Sequence, residues 1–159
     1  MSGQFKLAAA AFAAVAAISS AAPAWAVDNI KPFGDQIRVI DTVGNPVIGY
    51  TVTDFGPSSA DVAHDGQLYS ATLTVQAYGA PANPAIVMFN ARAESGEGYR
   101  AILEGPDAIT AASVPANSTS SGKLYFDVTG DTPNSVVVND GMRDIFAWIP
   151  GVSIGGNRP

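Results

Sequence analysis

Between positions 69 and 77 the chain alternates without a break. Tyr69, Ala71, Leu73, Val75 and Ala77 are apolar, and Ser70, Thr72, Thr74 and Gln76 between them are polar. A period of two sets the first group on one side of a β-strand and the second on the other, whereas a helix would scatter both around its circumference. Leu124, Phe126 and Val128 repeat the device against Lys123, Asp127 and Thr129, and Tyr99, Ala101 and Leu103 repeat it against Arg100 and Glu104. Ile48, Tyr50 and Val52 form a further set, with Asp54 continuing its register as the strand leaves the core. Positions 37–42, 85–93, 135–139 and 144–149 complete a count of about eight strands, most of them half-buried.

Turn residues fall between these segments. Gly44-Asn45 ahead of Pro46 reads as a two-residue hairpin turn, with glycine accepting positive φ at the first position and proline opening the next strand. Positions 95–98 and 130–134 and the pair Asp140-Gly141 punctuate later strands. The stretches 56–66 and 105–122 are long enough to be loops, and neither carries the apolar stripe of a helix. Many short strands with regular turns predict an all-β antiparallel sandwich forming a single domain. Trp148, Met142, Phe89 and Phe126 are expected in its core.

The N-terminus predicts an address. Lys6 precedes an apolar run over 7–18; Ser19, Ser20 and Pro23 break it, and Ala24-Trp25-Ala26 offers a small-x-small cleavage pattern. Twelve helical residues cover about 18 Å against roughly 30 Å of hydrocarbon, so the run is expected to be a signal-peptide core; the alternative, an uncleaved alanine-rich anchor extending to Val27, is disfavoured by the weak hydrophobicity of alanine and by Pro23. The division that follows is a signal peptide over 1–26, a sandwich over 27–150 and a flexible C-terminal tail over 151–159. Cleavage after Ala26 removes Lys6 and no acid. The remaining 133 residues then hold seven basic against fourteen acidic side chains, net −7. That is enough chain for one self-supporting core.

Composition excludes several chemistries. With no cysteine there is no thiol nucleophile, disulfide scaffold or thiolate metal site, and one histidine excludes any site that needs two imidazoles. The acidic balance argues against a nucleic-acid partner, since phosphate binding rewards clustered Lys and Arg.

The residues that could carry chemistry have plainer readings. His64 lies in Asp61-Val62-Ala63-His64-Asp65-Gly66, which invites a metal, but its polar, glycine-bearing setting predicts a solvated loop. A Ser-His-Asp hydrolase would need His64 as its base, and no Gly-x-Ser-x-Gly elbow is present. Asp127/Asp131 and Asp140/Asp144 fall short of a calcium loop and fit turn chemistry. Asn117-Ser118-Thr119 matches a glycosylation acceptor in a polar loop, and Gly96-Glu97-Gly98 lacks the rest of a dinucleotide fingerprint. No catalytic, cofactor-binding or metal-binding residue is assigned, and no cofactor is expected.

Asp41-Thr42-Val43-Gly44, Phe89-Asn90-Ala91-Arg92 and the stretch Gly122-Lys123-Leu124-Tyr125-Phe126-Asp127-Val128-Thr129-Gly130 carry a resemblance, continued by Asn139, Gly141, Met142, Asp144 and Trp148. From about Ile37 to Pro150 the chain resembles the small secreted immunogenic proteins of mycobacteria, a family whose domain has no assigned function. The resemblance implies an exported antigen with an immunoglobulin-like antiparallel sandwich, and it transfers no catalytic residue. Positions 151–159 run past the family pattern. The resulting expectation is a secreted, monomeric binding module that meets host proteins. The alternatives are a secreted hydrolase working through carboxylates or His64, and a passive envelope-associated protein.

Overall fold

A computed structural model describes residues 29–151. The expected signal peptide over 1–26 and the expected tail from 152 onward lie outside the described residues. Among the described residues nine strands follow one another: β1 (Asn29–Pro32), β2 (Gln36–Ile40), β3 (Pro46–Pro57), β4 (Gln67–Ala77), β5 (Phe89–Ala93), β6 (Gly98–Ile102), β7 (Thr119–Val128), β8 (Pro133–Asn139) and β9 (Asp144–Ile149). They are hydrogen-bonded in the order β1-β9-β8-β5-β6-β7-β4-β3-β2. All neighbours are antiparallel except β1, which lies parallel to β9.

This ribbon folds into two layers because β6 serves both. Its first half pairs with β5, Arg100 opposite Asn90, and its second half pairs with β7, Ala101 opposite Phe126. The first sheet is therefore β1-β9-β8-β5-β6 and the second β6-β7-β4-β3-β2. At the opposite edge the β1–β2 corner ties the layers again. Phe33 donates its N–H to Ile149 of the first sheet and Gly34 donates to Val52 of the second.

The core is the sum of the inward residues of both sheets. Ala71, Leu73, Val75 and Ala77 of β4 are wholly buried, as are Leu124 and Phe126 of β7. An aromatic chain crosses the layers: Tyr50 meets Phe89 edge-on at 5.3 Å, and Phe89 stacks on Trp148 at 6.0 Å. Trp148 Nε1 donates to the Asp35 carbonyl at 2.9 Å, so the one polar atom of the ring is satisfied. A smaller cluster of Val62, Leu68 and Tyr125 sits on the outer side of the second sheet, beneath the loops.

Several expectations are corrected. β1 is not among the expected strands, because its alternation, Asn-Ile-Lys-Pro, lasts only four residues; the segment is held by its pairing with β9. The Gly44 turn is a three-residue loop, Thr42-Val43-Gly44. Gly44 N–H donates to Asp41 O, Asp41 N–H donates to Asn45 O, and Gly44 takes the left-handed position at φ 90°. The Asp41 carboxylate selects this longer loop by accepting N–H from Val43 and Asn45, and those bonds hold its pKa below the usual value. Asp54 does not continue the register. It sits at φ 54° in a bulge between Thr53 and Gly56, and the added residue turns Phe55 inward against Phe126 and Tyr69. β5 begins at Phe89, because Ala85 is left-handed (φ 47°) and residues Ile86–Met88 form a 3₁₀ turn. The first loop is shorter at its start, since Gly56 and Pro57 belong to β3, and the second is shorter at its end, since Thr119–Gly122 belong to β7, but it begins earlier because β6 stops at Ile102 and Leu103 lies beyond it. Met142 is not in the core: it is 93% exposed at the β8–β9 turn, where no neighbouring layer covers it.

Candidate functional site: a groove on the first sheet

On the outer face of the first sheet, β5 and β6 carry Asn90, Arg92 and Arg100 side by side. The 3₁₀ turn raises Val87 and Met88 along one side, and Asn139, Asp140 and Gly141 of the β8–β9 turn rim the other. They enclose an open groove of about 580 Å³. Two local irregularities shape it. Val87 is held outward by the left-handed Ala85, a conformation that costs a non-glycine residue about 1–2 kcal/mol. The segment before it is anchored from the core, where the Tyr50 hydroxyl donates to the Pro84 carbonyl at 3.0 Å. Burial pushes that phenol up to about 12. The second irregularity is a register shift in the β8–β9 pair, which leaves Asn139 opposite Asp144 although Val138 faces Phe146. The shift sends Asp144 to the outer face while Phe146 and Trp148 stay with the core.

Most polar heads in the groove are committed. Arg92 grips Asp144 with two hydrogen bonds, Nε to Oδ2 at 3.0 Å and Nη2 to Oδ1 at 2.5 Å, and Asn139 Nδ2 adds a third at 2.8 Å. Asn139 Oδ1 accepts from Gly141 N–H, and Asn90 Nδ2 donates to Met88 O. Asp140 Oδ1 accepts the N–H groups of Arg143 and Met142, which hold its pKa below the ordinary carboxylate value. Arg100 differs: it is exposed and has no hydrogen-bond or ion-pair partner among the described residues. Val87 beside it is 72% exposed, and Met142, next to Gly141 of the rim, is a second bare apolar side chain.

The residues singled out from sequence lie elsewhere. His64 is exposed between β3 and β4, with Nδ1 2.6 Å from its neighbour's carbonyl at Val62. The loop around it is fastened to β7, where Asp127 accepts Asp65 N–H at 2.9 Å and Gly66 N–H at 2.8 Å. Those two bonds lower the Asp127 pKa, with a smaller contribution from the charge of His64. Gly66 permits the approach, because a Cβ there would stand 2.0 Å from the Val128 carbonyl oxygen. Asn117 turns its amide oxygen to Gly79 N–H at 2.9 Å, closing the β4 end onto the loop before β7. Asp131 is tied to Glu97 through its N–H, and Tyr99 donates to its carbonyl. Among the described residues no three His, Asp or Glu side chains converge as a metal site would require, and no buried side-chain nitrogen or oxygen lacks a partner. Sequence reading missed Arg100, Asn90 and Val87 as a group. Their strand register was visible in the alternation of β6, but the 3₁₀ turn that builds the wall had no periodic signal.

Fold and surface together define an immunoglobulin-like β-sandwich with one polar-floored groove and no assembled catalytic cluster among the described residues. The chain belongs to the family described as Domain of unknown function (DUF1942), whose model matches residues 28–148. It is 38% identical over 145 residues to Immunogenic protein MPT63 of Mycobacterium tuberculosis and to Immunogenic protein MPB63 of Mycobacterium bovis, covering 88% of this chain and 91% of each relative. The crystal structure of MPT63, a secreted protein from Mycobacterium tuberculosis, superposes with a TM-score of 0.72 at 39% identity, over 79% of this chain and 99% of that one. The chain is thus a secreted protein of this family, and the relatives are named as immunogenic proteins and not as enzymes.

Proposed function

We propose that the protein is an extracellular binding module, not an enzyme, and that it meets a host protein through the groove on its first sheet. The observation that carries this reading is Arg100: a guanidinium without a partner among the described residues, on the floor of a groove whose other charged heads are engaged. An exposed valine beside an unpaired arginine is the composition of a contact surface, where apolar area supplies affinity and the charge supplies register. The hydrolase alternative is less well supported. A general acid needs a raised pKa, whereas Asp127 and Asp140 are lowered by backbone N–H groups. The net −7 of the exported chain disfavours nucleic acid, and the reading includes cleavage after Ala26, export without a membrane anchor, and a monomeric state.

The test immobilises the exported protein and captures partners from host-cell extract, alongside Val87→Asp in the groove wall and Thr74→Lys on the opposite sheet. Capture should be lost with Val87→Asp and kept with Thr74→Lys. Capture that is indifferent to the groove variant, or lost equally from both, overturns the reading.

A further inference from the structure

Building on that reading, we propose that the groove takes an acidic polypeptide segment in which a single Asp or Glu has aliphatic residues two positions to either side. The carboxylate pairs with Arg100 and an aliphatic side chain on the same face of the segment lies on Val87 and Met88.

The charge comes first. Arg92 presents the same functional group as Arg100 from the neighbouring strand of the same groove, yet its fork is filled by the Asp144 carboxylate. Among the described residues, one groove thus holds an occupied guanidinium–carboxylate pair and a guanidinium without a partner. A planar guanidinium matches a planar carboxylate through two parallel N–H···O bonds, so the complement of Arg100 is the group that Arg92 already holds.

The number of charges is limited as well. The exported chain carries net −7, and Asp140 stands on the groove rim. A sulfated polymer, a polyphosphate or an anionic membrane would meet long-range repulsion over most of the molecule. One carboxylate, desolvated only at Arg100, would not.

The shape selects a polypeptide. The groove is open along the sheet and walled on one side by an exposed Val87, so it cannot enclose a small free acid in the way ligand pockets do. An extended segment lying across the strands covers Val87 with one side chain while the side chain two positions along reaches Arg100. Adjacent side chains of an extended chain point to opposite faces and alternate ones share a face, so a residue two positions from the acid supplies the aliphatic contact.

The experiment uses the ¹⁵N-labelled exported protein and follows backbone amides on titration with terminally blocked peptides. Leu-Ser-Glu-Ser-Leu should shift the amides of Asn90, Arg92 and Arg100, and Leu-Ser-Gln-Ser-Leu should bind about tenfold more weakly, as expected for loss of a charge-assisted bond pair. Arg100→Gln should remove the difference between the two peptides. Its exposed position leaves the rest of the spectrum unchanged, which verifies folding. Arg100→Lys should fall between, since it keeps the charge and loses the fork. Equal binding of the two peptides, or no effect of Arg100→Gln, overturns the proposal. Hexanoate binding as tightly as the peptide overturns the choice of a polypeptide in favour of a free acid. Absence of any peptide shift while Val87-dependent capture persists overturns this ligand class and leaves the groove reading standing. Loss of both overturns both.

Discussion

On the outer face of the second sheet, Thr51 lies opposite Thr74, Thr53 opposite Thr72, and Thr72 and Thr74 opposite Lys123 and Ser121. These side chains answer one another: Thr74 Oγ1 meets Ser121 Oγ at 3.1 Å, Lys123 Nζ donates to Thr72 Oγ1 at 2.9 Å, and Gln36, Gln76 and Tyr78 are hydrogen-bonded together, with Arg38 donating to Gln36 Oε1 and lying over the Tyr78 ring. The remainder of that face is roofed by loops over Leu68 and Tyr125. On the first sheet the equivalent outward positions hold Asn90, Arg92 and Arg100, beside a left-handed alanine, a bulge and two bare apolar side chains. Both faces grow from the same period-two pattern. Strain is common to both, since Asp54 of β3 is left-handed within a bulge as Ala85 is before β5. The difference lies in the polar groups: one face has used them to hold itself together, and the other keeps Arg100 without a side-chain partner among the described residues, which is why the proposed recognition is placed there.

The largest test concerns what the two faces share. Trp148 is fully buried, stacks on Phe89 and reaches the β1–β2 corner through Asp35, so it joins both sheets. Trp148→Ala should cost about 3–5 kcal/mol, the range for truncating a buried aromatic, measured by denaturant unfolding. Because Trp25 leaves with the signal peptide in the proposed processing, the exported protein should also show one blue-shifted indole emission that moves red on unfolding. A water-exposed emission maximum in the folded state would contradict the packing of β9.

A smaller effect separates the faces. Arg92 and Asp144 are each about one-fifth exposed, and Asn139 leans on the same carboxylate. Asp144→Ala leaves Arg92 partly desolvated and without its carboxylate, keeping only the Nη1 bond to the Gly96 carbonyl, which should cost about 2 kcal/mol, less than for a wholly buried pair. It should also free a second guanidinium in the groove and so tighten acidic-peptide binding, whereas Thr74→Ala on the other sheet should leave binding unchanged. Stability loss without any change in binding would detach the ion pair from the groove.

The contrast between the faces shows how far the sequence could be read. The inward sets of β4, β7 and β9 were legible because period two is a property of the strand itself, and Trp148, Phe89 and Phe126 occupy the core for that reason. The outer faces were not, because their character depends on interruptions of the period. The bulge at Asp54 brings Phe55 inward, the register shift beyond Val138 brings Asp144 outward, and neither carries a local sequence mark. Arg92 and Asp144 are 52 positions apart, and only the sheet order brings them together. Met142 was misread because apolarity without a covering layer does not bury a residue. The left-handed Ala85, two residues after the Asn83 whose side chain accepts its N–H, was masked by the apolar run that follows it.

The second sheet's structural role predicts an acid response. Asp127 fastens the Asp65–Gly66 loop, and its pKa lies below the ordinary 3.8 because two N–H groups favour the carboxylate. The folded state therefore releases this proton more readily than the unfolded chain. The stability it contributes is full above about pH 4 and disappears as the pH falls through the lowered value. Thermal melts of Asp127→Asn should show a shallower loss of stability across that window than the parent protein, with the loop amides of Asp65 and Gly66 exchanging faster at neutral pH. Identical acid limbs would assign the response to Asp41 or Asp140, whose carboxylates are lowered in the same way.

The smallest effect is expected at His64, on the same loop. Its ring is exposed, its Nδ1 contact is to a carbonyl two residues away, and the loop is already fixed by Asp127 and by the close approach of Gly66 to β7. Removing the imidazole takes away one local hydrogen bond that water replaces. His64→Ala should change stability by no more than about 0.5 kcal/mol, the range for surface positions. Chelator should leave the melting temperature unmoved, since a bound metal would stabilise the folded state by mass action. Peptide binding at the groove should also be unaffected, because His64 stands on the other sheet. A melting temperature that drops with chelator, returns with one particular metal, and shows neither response in His64→Ala would make this loop a ligand site, and the division between a structural face and a recognising face would fail.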